Sequence, residues 1–435
     1  MQTVTLEPLR WQERPARVRI VSGNEHPKAY FQITSPRNIA RMAKGRPAEE
    51  LPRILGMLSP AHHLVSAMAL DRLFQVEPPQ LAINMREAFL QTQYLRHHLR
   101  KLYFFLSAKS NPFADYAIRS SHTTGSLIPD QIVLEIMQCV AVVQEAATIL
   151  GGRADHPLSA VPGGVSRFLK DIHYDRLSEI AMHCVEFSVN LAKVLRERVF
   201  GRPEFMEELS GFRFPPIAFL AMNHKDENLV VRRPEGGETD RIPQDKVFER
   251  IGFHEESWSY ESFAFLKDKG WGTLGTDSSS GLYFVGPLAR LNTGVELEHP
   301  LAEQERQLLI ETLGAFPHFE AAAAYWSLLV EAIQAAEKMV ELCSQDKLTG
   351  PAFRTLPSQI GNVGFASLES PQGLISHYYR ADNRAIVEDI EILDSSAENN
   401  ALLCFLVQKS VENCLGRGRS TEDIKSSIEI GLLPF

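Results

Sequence analysis

The chain has 435 residues, of which 44% are hydrophobic and 23% charged, so it holds ample material for a buried core. Its net charge of -9 and its lack of a basic tail exclude the electrostatic attraction on which non-specific nucleic-acid binding depends. Residues 1–19 lack the apolar run of a signal peptide, and no stretch reaches the roughly 20 uninterrupted apolar residues that cross a bilayer. We therefore expect a cytoplasmic protein with no nucleic-acid partner and no direct membrane insertion.

Local patterns predict an α+β fold that is predominantly helical. Residues 16–35 alternate apolar and polar side chains, which is typical of two strands, joined here through Gly23 and Asn24. Ser59 and Pro60 fit the cap and the first position of a helix. The long helices are predicted at about 59–74, 80–108, 129–150, 168–199, 300–315, 318–344 and 399–415.

The helices alternate with regions of short apolar runs, and no extended linker separates the two kinds of region. We therefore expect a single interlocked domain over 1–435, with a central long-helix bundle and small mixed sheets. Its predicted parts are a mixed start (1–58), a helical bundle (59–210), a mixed insert (211–295), and helices with C-terminal strands and a last helix (296–435).

The cysteines are scattered: Cys139, Cys184, Cys343, Cys404 and Cys414. None lies three residues from another, so the chain has neither a zinc knuckle nor a redox cysteine pair. The first four lie in apolar helical patterns, which favours reduced thiols in a core. Cys414 lies near a predicted helix end, where a reactive or ligating role stays open.

The most informative segment is Arg53-Ile54-Leu55-Gly56-Met57-Leu58-Ser59-Pro60-Ala61-His62-His63. Seven further blocks follow a fixed order around it: Glu25-His26-Pro27-Lys28, Lys44-Gly45-Arg46-Pro47, Pro78-Pro79 with Tyr94 and His97-His98, Gly151-Gly152-Arg153 with His156-Pro157 and Val161-Pro162-Gly163-Gly164-Val165, Gly286-Pro287-Leu288-Ala289-Arg290-Leu291-Asn292, Glu369-Ser370-Pro371-Gln372-Gly373, and Asn399-Asn400. Together they resemble, in the same order, the large subunit of [NiFe]-hydrogenases, most of all its cytosolic cofactor-coupled branch. The resemblance covers nearly the whole chain.

The resemblance puts the nickel-binding segment of that family at 53–63. The family pattern there is Arg-x-Cys-Gly-x-Cys, with a histidine four residues after the second cysteine. Arg53, Gly56 and His62 keep this frame, whereas Leu55 and Leu58 occupy both cysteine positions. Nickel at such a site requires thiolate donors, and leucine offers no donor atom. We expect the nickel–iron centre to be absent, with no other cofactor predicted in this chain.

Other departures fall at positions where the family does its chemistry. Gln372 stands where the family has an arginine above the metals, and Asn24 or Glu25 falls at the place of its proton-gating glutamate. The family's second cysteine pair would follow 428–431, but the chain ends at Phe435, without a segment for a maturation protease to remove. The vacated-site positions are therefore Leu55, Leu58, His62, Gln372, Asn24 and Glu25, and no catalytic residue is predicted.

Two adjacent histidine pairs, His62-His63 and His97-His98, call for separate interpretations. For His62 we expect a core histidine satisfied by a neighbour. The second pair lies among basic residues and is expected at a solvated surface. If the two helices are neighbours, as the family's packing implies, a metal or proton-relay role for the pairs is the alternative. Trp258, Tyr260, Phe263 and Phe265 are expected to pack the middle insert.

Three functions remain open. The first is a structural or scaffolding subunit of a multi-subunit redox complex, bound to a hydrogenase-small-subunit-like protein that carries iron–sulfur clusters, together with further electron-transfer subunits. The second is a scaffold or chaperone for hydrogenase maturation. The third is an oxidoreductase subunit whose former metal cavity became a pocket for a quinone or another small molecule. In each case the chain is not a hydrogenase by itself and is at most one subunit of an oxidoreductase.

Overall fold

The computed structural model describes residues 2–6, 15–22, 27–35, 39–106, 128–210, 212–223, 225–236, 240–272, 280–343, 345–416, 418 and 420–435. The predictions for Asn24 and Glu25, and for a turn at Gly23, lie outside the described residues. The helices are α1 (Ile39–Ala43), α2 (Leu51–Leu55), α3 (Pro60–Leu73), α4 (Gln80–Leu106), α5 (Asp130–Gly151), α6 (Asp171–Leu195), α7 (Pro203–Ser210), α8 (Val247–Arg250), α9 (Pro287–Thr293), α10 (Pro300–Leu313), α11 (Ala321–Leu342), α12 (Gln345–Leu348), α13 (Ser395–Glu398), α14 (Asn400–Gly416) and α15 (Thr421–Leu432).

Small sheets surround this helical framework. Their strands are β1 (Gln2–Leu6), β2 (Ala16–Ser22), β3 (Lys28–Ile33), β4 (Ala160–Val161), β5 (Gly164–Val165), β6 (Ala218–Met222), β7 (Leu229–Arg232), β8 (Asp240–Ile242), β9 (Ile251–His254), β10 (Phe263–Leu266), β11 (Tyr283–Phe284), β12 (Val363–Ser370), β13 (Gly373–Ala381) and β14 (Val387–Leu393). The strand orders are β1-β2-β3, β4-β5, β11-β6-β7-β8, β9-β10 and β12-β13-β14. Every pairing is antiparallel except that of β11 with β6.

The long helices form a central bundle, in which α4 packs against both α5 and α11, and α6 packs against α11. Their apolar faces share one buried core, to which α3 and the sheet β12-β13-β14 also contribute. This arrangement confirms the prediction of a mainly helical α+β fold with small sheets. Contacts also join distant parts of the chain, such as β3 with α14, and they favour the predicted single interlocked unit, which stays a prediction.

The helix predicted from Ser59 begins as expected. The Ser59 side chain accepts a hydrogen bond from the His62 backbone N–H at 3.4 Å, and Pro60 occupies the first helical position. Two terminal elements were not predicted: the strand β1, which pairs along β2, and the helix α15. Strand β1 depends on a partner strand rather than on its own short sequence, so local patterning did not indicate it.

One helix in the described part of the chain, α5, meets the length and composition of a membrane span. It has 22 residues, and an 18-residue window within it has a mean hydropathy of 1.6. This helix does not contradict the expectation that no stretch reaches about 20 uninterrupted apolar residues, because Asp130, Glu135 and Glu145 interrupt its sequence. A third of that window, 33%, is buried, and α5 packs against α4 and α6. Because a helix of a protein core meets the same criterion, one such helix is weak evidence for a span.

Candidate functional site

The segment that carries the first motif lies inside the apolar core. Leu55 ends α2 and is 1% exposed, within the same core cluster as α3 and α4. Leu58 is partly buried and packs against that cluster, while Met57 between them is 63% exposed. Hydrocarbon therefore occupies both positions at which the resemblance puts thiolates, and neither side chain can donate electrons to a metal.

His63 holds this segment against the neighbouring hairpin β4-β5. Its Nδ1 lies 2.8 Å from the Pro52 carbonyl oxygen, and its Nε2 accepts the Ala160 N–H at 3.0 Å. Since Nε2 is an acceptor, the ring proton lies on Nδ1 and is donated to Pro52. Burial lowers the pKa of His63 to about 4, so the neutral ring is the form that this arrangement stabilises.

His62 begins a buried chain of hydrogen bonds that runs from α3 to β13 and back. Its Nδ1 lies 2.9 Å from the Nε2 of His377, and the Nδ1 of His377 lies 2.6 Å from the Tyr379 hydroxyl. That hydroxyl donates to the Ser66 Oγ at 3.0 Å. The His62 Nε2 lies 3.7 Å from the Asp394 carboxylate. All four members of the chain are at most 3% exposed, and the expectation of a core histidine satisfied by a neighbour is confirmed for His62.

The directions of these bonds fix the ring protons. Because the Tyr379 hydroxyl gives its proton to Ser66, it accepts from the Nδ1–H of His377, and the Nε2 of His377 accepts from His62. Burial lowers the pKa of His377 well below its ordinary value, and the neighbouring His62 adds to the effect. A series of hydrogen-bonded rings and hydroxyls in this order can pass a proton by switching each bond in turn.

Gln372 lies apart from this chain of hydrogen bonds, in the two-residue turn between β12 and β13. Ser370 pairs with Gly373 across that turn, and the Ser370 hydroxyl donates to the Gln372 Oε1 at 3.3 Å. The turn packs on the start of α9, where Gly286 has a φ of 104°. A Cβ at Gly286 would lie 2.7 Å from the Gln372 carbonyl oxygen, so only glycine allows this approach. The described contacts do not join Gln372 to His62.

A second polar network lies beneath the same turn, with Arg290 at its centre. The Arg290 Nε and Nη2 donate to the Glu331 carboxylate at 2.5 and 2.7 Å, and Nη1 donates to Glu369 at 2.6 Å. Glu369 also accepts the Met222 N–H, and the Glu331 Oε2 lies 2.9 Å from the His98 Nε2. Burial alone would raise the pKa of Glu331, but Arg290 and His98 lower it to about 2.

The prediction of a solvated surface for His97-His98 is wrong. His98 is 0% exposed, and its Nδ1 lies 3.3 Å from the Nδ1 of His97. Burial lowers the pKa of both rings, and for His97 the nearby Lys101 adds to the effect. The two histidine pairs lie on packed helices, α3 and α4, as the family's packing implied. No described hydrogen bond joins them, because His62 bonds to β13 and His98 to α11.

Several motif residues link secondary-structure elements through hydrogen bonds and ion pairs. Asp71 on α3 accepts the Gly163 N–H at 2.7 Å and pairs with Arg86 of α4, which in turn donates to the Gly164 carbonyl. Gly163 has a φ of 79°, and a Cβ there would lie 1.9 Å from the Thr355 carbonyl oxygen. The segment 161–165 is therefore a tight turn clamped between two helices.

The remaining sequence-based candidates are structural. All five cysteines are free and buried, and burial raises the pKa of Cys343 to about 12. Cys414 is 1% exposed, which leaves no surface for a reactive thiol. Trp258 and Phe263 pack edge to face at 5.6 Å as expected, whereas Tyr260 is 69% exposed.

The sequence interpretation missed His377, Tyr379, Ser66 and Glu331. His377 and Tyr379 do carry a signal, because residues two apart on a strand face the same side of its sheet. Both lie among the C-terminal strands predicted within 296–435, but nothing local indicates that His62, 315 positions before His377, faces them. Glu331 lies within the mainly apolar stretch 321–333 of α11, where a buried carboxylate implies a buried partner.

Comparison with known proteins finds relatives that match nearly the whole chain. No protein-family model matches it. It is 24% identical over 457 residues to an iron-sulfur subunit of the F420-non-reducing hydrogenase of Archaeoglobus profundus, covering 100% of this chain and 93% of that protein. It is 27% identical over 426 residues to a vhu subunit of the F420-non-reducing hydrogenase of Methanocaldococcus jannaschii, covering 95% and 99%.

The fold agrees with these relatives. A chain of the NAD+-reducing [NiFe]-hydrogenase in its H2-reduced state superimposes with a TM-score of 0.84 at 22% identity, over 100% of this chain and 97% of that one. The blocks that the sequence analysis singled out thus lie in a shared architecture, at nearly full length on both sides. In sequence and in fold, over nearly its full length, the chain is similar to [NiFe]-hydrogenase subunits, which supports the large-subunit resemblance of its motif blocks.

Proposed function

We propose that this chain is a structural subunit of a multi-subunit iron–sulfur redox complex and does not itself hold a nickel–iron centre. The observation that carries the proposal is the replacement of both motif cysteines by Leu55 and Leu58, of which Leu55 is packed in the core. The fold and the motif frame are kept around these two positions, so the shape of the family is retained where its metal ligands are not.

The nickel–iron group that the family implies does not fit the residues present here. Nickel and low-spin iron in such a centre need thiolates, and leucine supplies none. The five thiols of the chain lie elsewhere. The neighbouring Cys139 thiol and burial raise the pKa of Cys184, and burial raises that of Cys343 and Cys404, which keeps these three thiols protonated. Within the described ranges, no three His, Cys, Asp or Glu side chains are grouped to hold a metal ion. We therefore derive no reaction step through that group.

An exposed apolar face next to the first motif supports a partner protein. Its members are Met57, Leu158, Phe168, Ile172 and Leu356, each at least 41% exposed. Hydrogen bonds join the segments that carry them: His63 bonds to Ala160, and the Thr355 N–H donates to the Gly163 carbonyl at 2.8 Å. The Phe168 and Phe353 rings lie 6.0 Å apart. An apolar face of this kind favours burial against another protein.

The partner that we propose for this face is a hydrogenase-small-subunit-like iron–sulfur protein, with further electron-transfer subunits beyond it. The relatives support a complex of several subunits, since the Archaeoglobus and Methanocaldococcus proteins are named as subunits of hydrogenases. In such an assembly the chain contributes shape and contact surface, and the electrons travel through the clusters of its partner. The predicted cytoplasmic location belongs to this proposal.

The test is purification of the tagged chain from its own cell, followed by metal analysis and identification of the bound proteins. We expect an iron–sulfur protein in equal amount, with iron in the complex and no stoichiometric nickel. Substituting Met57→Lys together with Leu356→Lys should release that partner, because burying two charges in the interface is costly. The matched control is Leu415→Lys on α14, outside the face and also exposed, which should leave the complex intact.

Three results would contradict the proposal. Stoichiometric nickel, or Fe–CO and Fe–CN vibrations in the infrared spectrum, would restore the catalytic centre. A chain that purifies alone, with no iron–sulfur partner, would remove the scaffold role. Transient capture of hydrogenase assembly factors instead of an electron-transfer complex would replace it with the maturation chaperone.

A further inference from the structure

Two adjoining cavities form one cleft between α3, α4, α11 and β12. The larger cavity has a volume of about 740 Å³ and the smaller about 400 Å³. Six residues line both and so mark the junction: Met68, Ile83, Glu87, Leu90, Glu227 and Leu368. The linings of these two cavities include neither Leu55 nor Gln372, so the cleft is distinct from the vacated-site positions.

Apolar side chains form most of the wall at the junction. Met68 projects from α3, Leu90 from α4 and Leu368 from β12, and Leu64 extends the same surface into the larger cavity. Ile83 stands at the rim and is 45% exposed. A concave, largely apolar space of several hundred Å³ with a few polar groups is the usual form of a small-molecule site.

The cations of this lining already have carboxylate partners. Arg86 pairs with Asp71 at 2.5 Å, Arg72 with Glu227 at 3.3 Å and Lys338 with Glu298 at 3.0 Å. Arg290 is bound by two carboxylates, as described above. A negatively charged ligand would have to displace one of these internal partners, so the walls do not offer a free positive group to an anion.

Glu87 differs from the charged residues of the ion pairs just described. It lines both cavities, its Oε1 accepts a hydrogen bond from Gln91 at 2.5 Å, and no Arg, Lys or His within the described part of the chain pairs with it. A carboxylate that is partly removed from water and faces apolar walls is stabilised by any cation that reaches it. A ligand that complements Glu87 would therefore carry a positive charge.

We propose that the cleft binds an organic cation, an amine or ammonium group on an apolar body, with the cationic group at Glu87 and the body against Met68, Leu90 and Leu368. The site is independent of the scaffold role, because it lies apart from both the apolar face and the first motif. Its recognition combines burial of the apolar body with one charge-assisted contact.

Three probes with the same apolar body test the proposal by titration calorimetry at pH 7.5: 4-phenylbutylamine, 4-phenylbutan-1-ol and 4-phenylbutyrate. We expect the amine to bind at least tenfold more tightly than the alcohol, and the carboxylate most weakly. Glu87→Gln, which keeps the shape and removes the charge, should reduce the affinity for the amine to that for the alcohol. The matched control is Glu186→Gln, an exposed carboxylate on α6, which should change nothing.

A second variant locates the site. Ile83→Trp adds bulk at the exposed rim of both cavities and should weaken all three probes, while circular dichroism and the thermal midpoint confirm that the fold is intact. Absence of binding by every probe, equal affinities for amine and alcohol, or a preference for the carboxylate would each overturn the proposal. Unchanged amine binding in Ile83→Trp or in Glu87→Gln would do so as well, because the site would then lie elsewhere.

Discussion

Arg290 shows how much one buried residue can organise. Its guanidinium is 5% exposed and binds Glu331 and Glu369, which come from α11 and β12. A buried charge is tolerated only while its partners compensate it, so each of these residues depends on the others. Burial opposes charge on Arg290, but the two carboxylates and Tyr94 outweigh it and hold its pKa above the ordinary value.

Replacing Arg290 by methionine tests this dependence. The Arg290→Met variant keeps much of the side-chain volume but leaves two buried carboxylates without a cation. We expect a loss of about 3–5 kcal/mol in the free energy of unfolding, measured by urea denaturation. The control is Arg176→Met, which breaks an exposed pair with Glu145 and should leave the urea midpoint nearly unchanged. Equal effects of the two substitutions would contradict the interpretation.

At the scale of elements, α3 and β13 are joined by polar bonds in addition to apolar packing. The Tyr379 hydroxyl bridges His377 on its own strand and Ser66 on the helix. Asp394 adds a carboxylate close to His62 and also caps α13, since it accepts the Ser396 N–H at 3.0 Å. The helix of the first motif, the central strand of its sheet and the start of α13 are therefore fixed together.

Removing one hydroxyl from the polar bonds between α3 and β13 should cause a measurable loss of stability. Tyr379→Phe leaves the His377 Nδ1 and the Ser66 hydroxyl without their buried partner, and we expect about 1–3 kcal/mol of destabilisation by urea unfolding. The neighbouring Tyr378 is half-buried and offers a matched control, because Tyr378→Phe removes a hydroxyl that is not part of this hydrogen-bond chain. A loss as large in Tyr378→Phe as in Tyr379→Phe would show that the bridge contributes nothing specific.

For the molecule as a whole, buried neutral histidines make stability depend on pH. Burial lowers the pKa of four histidines in the fold, so the unfolded chain binds more protons than the folded one below the ordinary histidine pKa; they are His63, His97, His98 and His377. The free energy of unfolding therefore falls as the pH falls below about 6.5. Glu398 has the opposite effect on stability. Burial raises its pKa, so the folded chain binds one more proton at this carboxyl than the unfolded chain does, and acidification there favours the folded state.

The net effect of four histidines against one carboxyl is three protons, or a limit of about 4 kcal/mol per pH unit. Urea unfolding at pH 7.5, 6.5 and 5.5 should show this loss. His98→Gln keeps a donor for Glu331 and removes one titrating group, so it should flatten the slope by about a third. His183→Gln, at an exposed position, should leave the slope unchanged. Stability that is constant or rises on acidification would contradict the assignment of neutral rings.

The long helices were predicted to within a few residues, because the spacing of apolar residues and the caps are local properties. Ser59 and Pro60 at the start of α3, and Gly152 with a φ of 78° after α5, are examples. The first motif was also accessible, since the identity of Leu55 and Leu58 excludes metal donors whatever their surroundings. The failure was at His97-His98, where the neighbouring basic residues were taken as a guide to exposure.

The sequence by itself determined the helical framework, the order of the motif blocks and the lack of donor atoms at Leu55 and Leu58, because all three depend only on residue type and spacing. The tertiary structure alone decided that His98 is buried against Glu331, that His62 meets His377, and that Glu87 lines a cleft in which no cation of the described residues pairs with it. Burial and hydrogen bonding belong to pairs of surfaces, and which surfaces meet is fixed only when distant segments pack together.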